Sequence, residues 1–463
     1  MSHTAPVTTL NASLAMTRAS AERAVADPEA LNHFRDKMNG YLRSEVDPEF
    51  FSHWNVIPSP LVMEEGECQA LFDEAIGLHD AVEFVLDAYM DGSPGVRALY
   101  DRYDSLSNEF VKCAATWQGW GRYDFLIATG GRPVFIETNA AMASGFLPMN
   151  YMNEYFRHHA PPGLMPAGTR QSLPYDDFAR AGEAVLAHWG PAEQRKGGVA
   201  ILIDGNKKFH EAGMLVKSLH AAGVGDAVVA SMDDVTEKDG HLYVYGEQIG
   251  LAFMKVRLFG AQHKWSDDAF REHAWFFDAV RTQKVVALNC LAAETLAEDK
   301  VVFAAMRLPE VFEAMPERLQ RVVEHHTPPT FPLAAGPIHL DGEEVDLLEI
   351  ALRDQQDWMV KPRNDYRGSG VTSGRGIEPA EWAQLIAAHM GKGDYLLQQR
   401  VDHEDLPVAI PDGRGAAVVG HNLAGGVYVA AREAHGLVAR AGTGEVVNGI
   451  TGAWMLPVVC ERA

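Results

Sequence analysis

Between Lys196 and about residue 290, short apolar runs alternate with amphipathic ones, and this alternation constrains the fold more than any other feature. GGVAILID has the length of a strand, FHEAGMLVKSLHAAG has helical spacing and ends at a glycine, and DAVVAS is again strand-like. HLYVYGEQI reads as a small strand pair and LAFMKVRLF as a further strand. Strands alternating with helices predict a parallel, Rossmann-like unit over about 165–290. Ahead of it, residues 1–20 are rich in Ser, Thr and Ala and read as frayed. ALNHFRDKMNGYL and CQALFDEAIGLHDAVEFVLDAYM carry apolar residues three and four apart, so region 1–120 reads as helical, with a turn cluster at Asp91–Gly95. Region 121–160 holds a hairpin. In region 291–463, LAAETLAEDKVVFAAM reads as a loop into a helix, DWMVKP and DYLLQQRV read as strands, and the last forty residues are strand-rich. The expected class is α/β with α+β elements.

The 463 residues exceed what one small core needs. With 40 Lys and Arg against 63 Asp and Glu, the formal net charge is −23. That disfavours a nucleic-acid backbone or an anionic membrane surface as the main partner, while leaving room for a local basic pocket that takes a nucleotide. Cys68, Cys113, Cys290 and Cys460 are scattered without CxxC spacing, so neither a disulfide framework nor a zinc site is expected and a reducing cytoplasm fits. The N-terminus lacks the basic start and apolar core of a secretory signal. No apolar run approaches the roughly 20 residues that span a bilayer.

The most informative segment for chemistry is RYDFLIATGGRPVFIETNAAMAS, Arg122–Ser144. Two strand-like runs flank Gly130-Gly131, a permitted tight-turn pair. A two-residue turn there sets Asp124 opposite Glu137 and Arg122 opposite Asn139, all four on one face. The other face, Tyr123, Phe125 and Ile127 with Val134, Ile136 and Thr138, is mainly apolar. Opposed carboxylates repel, and a divalent cation between them removes the penalty. Asp124, Glu137 and Asn139 offer the hard oxygens that Mg²⁺ takes. A solvated polar face of a surface hairpin is the other reading of the same alternation.

Further signals are weaker singly. In DWMVKPRNDYRGSGV a strand delivers Lys361, a proline stops the ladder, and Arg367-Gly368-Ser369-Gly370 follows. Small residues let backbone N–H groups approach phosphate oxygens, and the lysine adds a point charge. Lys300, after Asp299, would neutralise a triphosphate from the other side. Gln398 and Gln399 end a strand at a possible hinge, where backbone groups would read an adenine edge. Arg440 lies on a strand before a Gly442–Gly444 turn and a further strand to Asn448, placed to balance charge on a transferred phosphoryl group. Arg432 is a lesser candidate. An ordinary mobile loop and surface-exposed cations remain the plainer alternatives.

Taken in order, these residues resemble the circularly permuted ATP-grasp enzymes, in particular the synthetase domain of glutathionylspermidine synthase and its relatives. Arg122-Tyr123-Asp124-Phe125 is similar to that family's Arg-x-Asp-Phe strand, and Glu137-Thr138-Asn139 to its Glu-x-Asn strand. Asp299-Lys300, Lys361-Pro362, Arg367-Gly368 and the strand from Arg440 to Pro457 match later family motifs. The metal motif precedes the Rossmann-like unit instead of coming last, which is what implies permutation. Departures occur after Glu-x-Asn, where the synthetases carry Asp and Ser and this chain has Ala141 and Met142, with only Ser144 keeping a hydroxyl. They bear on the acceptor and leave the ATP chemistry untouched.

The resemblance implies Mg²⁺ held by Asp124, Glu137 and Asn139, and ATP phosphates held by Lys300, Lys361 and the Arg367–Gly370 loop. It further implies Arg122 and Arg440 balancing charge while a carboxylate becomes an acyl phosphate that an amine displaces. Substrate contacts are expected beyond the strand ends of the Rossmann-like unit, at the Asp204–Lys208 loop with Asn206, and at Lys255 and Arg257, which share a face. Trp117 and Trp120 read as core, or else as a pocket wall. The expected partners are a small-molecule carboxylate and an amine or short peptide. Competing functions are an ATP-dependent phosphotransferase and a non-catalytic nucleotide-binding module; the joint retention of Asp124, Glu137, Asn139, Lys300, Lys361 and Arg440 argues against the second.

Overall fold

The computed structural model describes residues 7–103, 120–141, 143–165, 178–203, 210–255, 272–290, 292–364, 368–413, 415–447 and 452–461. Its largest sheet has seven strands. They run in the order Asn55–Val56, Trp454–Leu456, Glu433–Gly442, Ala416–Ala430, Gly121–Ile127 and Pro133–Asn139, with Asp405–Pro411 on the outer half of Ala416–Ala430. Both ends of the chain enter this layer. Asn55–Val56 lies parallel to Trp454–Leu456 within it, and Leu61–Glu64 pairs in parallel with Val458–Glu461 as a separate two-stranded sheet. The region read as helical therefore also supplies two short strands.

The hairpin has the expected register where it matters and reaches it by another route. Arg122 faces Asn139 and Asp124 faces Glu137, but Phe125 faces Phe135. The connection spans Thr129–Gly131, closed by the Ala128 N–H on the Arg132 carbonyl at 2.7 Å. Gly130 and Gly131 take φ of +88° and +84°, which a glycine reaches without Cβ strain. A bulge then absorbs Ile136 as an extra residue and restores the Asp124–Glu137 pairing. Phe135, not Ile136, is the fully buried partner of Phe125, with ring centroids 6.0 Å apart.

Behind the hairpin lies the 27-residue helix Glu65–Asp91. Glu64 caps its start by accepting from the Glu67 N–H, and Gly92 ends it in the left-handed region. Its Leu78, Val82, Val85 and Leu86 are buried, and its His79 Nδ1 lies 3.0 Å from the Tyr123 hydroxyl. At about 25 cal/mol per Å² of apolar surface, each such fully buried side chain contributes about 1.5–3 kcal/mol.

Residues expected to fray form a helix instead, Asn11–Ala24. Its buried face is Ser13, Thr17, Ser20, Ala21 and Ala24, small enough for close approach to Leu61–Glu64. The Thr17 hydroxyl accepts from the Val62 N–H at 3.0 Å, and Ser13 Oγ accepts from the Glu64 N–H at 2.9 Å. Hydroxyls thus satisfy the strand's free edge, a role invisible to hydrophobic periodicity.

The parallel sheet is present. Ala227–Ser231, Gly198–Ile203, Glu247–Lys255 and Val286–Leu288 run parallel, and the hairpin Val235–Lys238/His241–Val244 adds on antiparallel. A third, antiparallel sheet has the order Thr330–Pro332, Tyr395–Gln399, Trp358–Pro362, Thr372–Ser373. Its own core contains Trp358, Val360, Trp382 and Leu397. Among the described residues no strand follows Gly442 directly: Thr443–Val446 bends, and the next described strand is Trp454–Leu456. Among the described residues no helix is long and apolar enough to cross a membrane.

Candidate functional site

Asp124 projects from Gly121–Ile127, the strand beside the edge strand of the seven-stranded sheet, and is 5% exposed. Arg122, two residues along the same face, donates from Nε to Oδ1 at 2.5 Å and from Nη2 to Oδ2 at 3.0 Å. Arg440, reaching across Ala416–Ala430 from the next strand but one, donates to Oδ2 at 2.7 Å. Gly426 makes the crossing possible, since a Cβ there would stand 2.6 Å from Asp124 Oδ1 and 3.0 Å from Arg122 Cδ. Burial pushes the Asp124 carboxyl up, but the two guanidinium groups outweigh it and hold it below the usual carboxylate range. The repulsion between opposed carboxylates, assigned above to a bridging cation, is thus relieved by the chain's own arginines.

Glu137 has its own cation. Lys300 Nζ stands 2.9 Å from Glu137 Oε1. Lys361 comes from the antiparallel sheet, lies diagonally across the ladder from Gln398, and donates to Gln398 Oε1 at 2.5 Å. Gln398 in turn donates to Thr330 Oγ1 at 3.0 Å, so its amide is oriented. Burial pushes Lys361 down to about 8; Glu137 pulls it up and Lys300 pushes it further down. Lys361 therefore senses both Glu137 and Lys300, although the three come from separate elements.

A buried clamp sets the spacing of those elements. Asp299, fully buried, receives Arg363 Nε at 3.0 Å from each of its oxygens, Arg363 Nη2 at 2.7 Å and the Tyr103 hydroxyl at 2.9 Å. The Lys300 N–H donates to the Arg363 carbonyl at 3.1 Å. Lys300 precedes no regular helix: a π-turn, Ala293–Ala297, and the one-turn helix Val302–Ala305 flank it. Next to it, Glu298 accepts from the Ala140 and Ala141 N–H groups at 2.9 and 2.6 Å.

Beyond Asn139, the segment Ala140–Leu147 is held by side chains from several elements. Asn289, at the end of the last parallel strand, donates to the Ala140 carbonyl at 2.6 Å. Lys255, at the end of its strand, donates to the Ala143 carbonyl. Glu211 accepts from the Gly145 and Leu147 N–H groups at 3.1 and 3.3 Å and lies 3.9 Å from Lys255 Nζ. Burial lowers Lys255, with Glu211 opposing and Arg122 reinforcing the shift. The carboxyl ends of the parallel strands thus meet the hairpin at this segment, the side where α/β sheets take ligands.

The site residues read from the sequence divide clearly. Arg122, Asp124, Glu137, Arg440, Lys300, Lys361 and Gln398 come together. Asn139 shares the face, and its Nδ2 is buried without a partner among the described residues. Gly368 and Gly370 take left-handed φ of +70° and +68° beyond Lys361 and Pro362, and Ser369 between them is exposed. Ser144 meets the cluster through its carbonyl, which accepts from Arg122 Nη1 at 3.0 Å and the Tyr428 hydroxyl at 2.8 Å. At Gln399 the amide donates to the Pro329 carbonyl, and that of Arg400 to Asp357, so neither N–H is free for an adenine edge. Arg432 pairs at the surface with Asp80 and Glu83. Trp120 is buried against Phe146, centroids 4.6 Å apart. Asn206, Arg257, Arg367, Trp117, Met142, Asn448 and the Asp204–Lys208 loop lie outside the described residues. Sequence reasoning missed Arg363, Tyr428, Glu298 and Asn289, whose partners are all far along the chain; the Gly425-Gly426 pair inside a strand was the available hint of a close approach.

No family model matches the chain, and no curated protein is significantly similar to it in sequence. Among solved structures, a glutathione synthetase-like effector from Globodera pallida, in its apo form, is similar over 87% of this chain and 89% of that one. The TM-score is 0.51 and the identity 11%. The likeness is one of fold: a mixed α/β chain of several sheets, arranged as in a glutathione synthetase-like protein.

Proposed function

We propose that this protein is an ATP- and Mg²⁺-dependent ligase that joins a carboxylate to an amine, releasing ADP and phosphate, on a circularly permuted ATP-grasp scaffold. The observation that carries the reading is the convergence of Arg122 and Arg440 of the seven-stranded sheet, Lys361 of the antiparallel sheet and Lys300 of an intervening turn on Asp124 and Glu137. The glutathione synthetase-like fold supports it.

Whether the residues suit a divalent cation is tested by their chemistry. Glu137 and Asn139 are partly exposed and offer hard carboxylate and amide oxygens. Those two oxygens would hold a cation that phosphate oxygens also bind, and Asp124, engaged by Arg122 and Arg440, would join them only if a guanidinium group left it. Bound there, Mg²⁺ would neutralise phosphate charge. Lys300 and Lys361 hold the phosphate tail from opposite sides, each as a point charge. Arg122 and Arg440 stabilise charge on the phosphoryl group as it passes to the substrate carboxylate. The end of the parallel sheet, at Lys255 and Ala140–Leu147, lines the substrate side, and the amine then displaces phosphate from the acyl phosphate.

The test is turnover of Mg²⁺–ATP with pooled carboxylates and amines, read by nucleotide chromatography and mass detection of products. ADP together with a product equal to acid plus amine less one water is expected. AMP and pyrophosphate, or no nucleotide binding at all, would sink the assignment.

A further inference from the structure

The cation site and its surroundings carry opposite charge from what a free metal ion needs. Asp124 receives three N–H donors, two from Arg122 and one from Arg440. Glu137 is paired with Lys300. Among the described residues the cluster gathers four cations, Arg122, Arg440, Lys300 and Lys361. Against them stand Asp124, Glu137 and Glu298, and Glu298 is turned to the backbone of Ala140 and Ala141. The balance is positive even with Glu298 included. A divalent cation arriving alone meets like charge at every carboxylate it would use. A polyphosphate meets the reverse: among the described residues the buried Nε of Arg440 has no acceptor, nor does the buried Nδ2 of Asn139. An anionic oxygen gives the guanidinium group an acceptor that Asp124 alone does not.

We infer that this site excludes a free divalent cation and admits one only in company with a polyphosphate, and that Arg440 enforces the order by occupying Asp124 until phosphate oxygens draw it away. The inference rests on the ATP reading above and adds to it a binding sequence and a positioning role for Arg440. Lys300 does the same at Glu137: its ammonium group moves from carboxylate to phosphate, and the carboxylate turns to the cation. Each carboxylate keeps a cation beside it at every stage, which a buried cluster requires.

The experiment uses Mn²⁺ as the cation, followed through loss of its free electron-spin resonance signal, with the full chain and a non-hydrolysable ATP analogue. Wild type should retain no Mn²⁺ without nucleotide at millimolar concentration and should retain it once the analogue is present. Arg440→Met should tighten nucleotide-independent Mn²⁺ binding by about tenfold or more, since a like charge beside the ligand is gone. Arg440→Gln, which keeps an amide donor in place, serves if Arg440→Met does not fold. Equal Mn²⁺ affinity of wild type with and without bound analogue would overturn the inference while leaving the ATP reading standing. A folded Arg440 variant with no gain in Mn²⁺ affinity would overturn the role of Arg440. Failure of the analogue to bind under any condition would overturn the ATP reading, and the inference with it.

Discussion

Asp124 and Asp299 are both buried and both chelated by an arginine, yet their surroundings differ. Asp299 has one arginine for one carboxylate, and the remaining Arg363 donors go to the Leu99 and Gly393 carbonyls at 2.8 and 3.3 Å. Tyr103 and the Val301 N–H complete the carboxylate. Asp124 has two arginines for one carboxylate, and one buried guanidinium nitrogen is left over. A matched, closed pair is a device for holding Lys300 and the Lys361 strand in register. On the proposed reading, a pair with surplus donors is placed to receive an anion.

Removing one partner from each pair should separate these roles, with the largest effect at the closed one. Arg363→Met strands a buried carboxylate and should cost about 3–5 kcal/mol of stability. Arg440→Met leaves Asp124 with Arg122 and should cost no more than about 1.5 kcal/mol. Urea unfolding of both variants measures the difference. Equal losses would mean that Asp124 is as structural as Asp299 and that the contrast is false.

A second prediction sharpens the open cluster through pH. Lys361 has its folded-state value pushed down to about 8 from an ordinary 10.5, so the folded chain sheds that proton first. Below pH 8 both folded and unfolded lysine are charged, and the folded state carries the desolvation cost in full. Between about 8 and 10.5 the unfolded state binds more protons, so stability should rise with pH, by on the order of 3 kcal/mol in total. Triphosphate affinity should move the other way, weakening as pH rises past about 8 and the ligand loses its charged partner. Wild type compared with Lys361→Met in unfolding, and with the permanently charged Lys361→Arg in binding, isolates the residue. A binding profile for Lys361→Arg as pH-sensitive as that of wild type would place the titration elsewhere.

How much of this was legible in the sequence follows from the range of the interactions. The hairpin face was readable because a glycine pair and period-two alternation are local, whereas the bulge at Ile136 was not, since it depends on how Phe125 and Phe135 pack. Helix Asn11–Ala24 escaped because its buried face is made of hydroxyls and alanines that satisfy a strand edge. The parallel strands were readable from their apolar runs. The clamp at Asp299 was not: Arg363 stands 64 positions away and Tyr103 196, and no spacing rule links them. Asp299-Lys300 drew notice for its lysine, while the structure assigns the anchoring to its aspartate.

The smallest expected effect concerns Ser144, whose hydroxyl was a candidate for substrate contact. In the structure its carbonyl is the group engaged, accepting from Arg122 Nη1 and from Tyr428. Alanine keeps that carbonyl, keeps both donors, and deletes only an oxygen that has no partner among the described residues. Ser144→Ala should therefore shift stability by no more than about 0.5 kcal/mol and leave both kcat and KM for the carboxylate unchanged. Tyr428→Phe, by contrast, removes a donor from the same carbonyl and should cost about 1 kcal/mol. If Ser144→Ala instead raises KM with kcat unchanged, the hydroxyl binds substrate. The segment after Asn139 would then be a recognition surface in its own right, and not only a support for the arginines of Asp124.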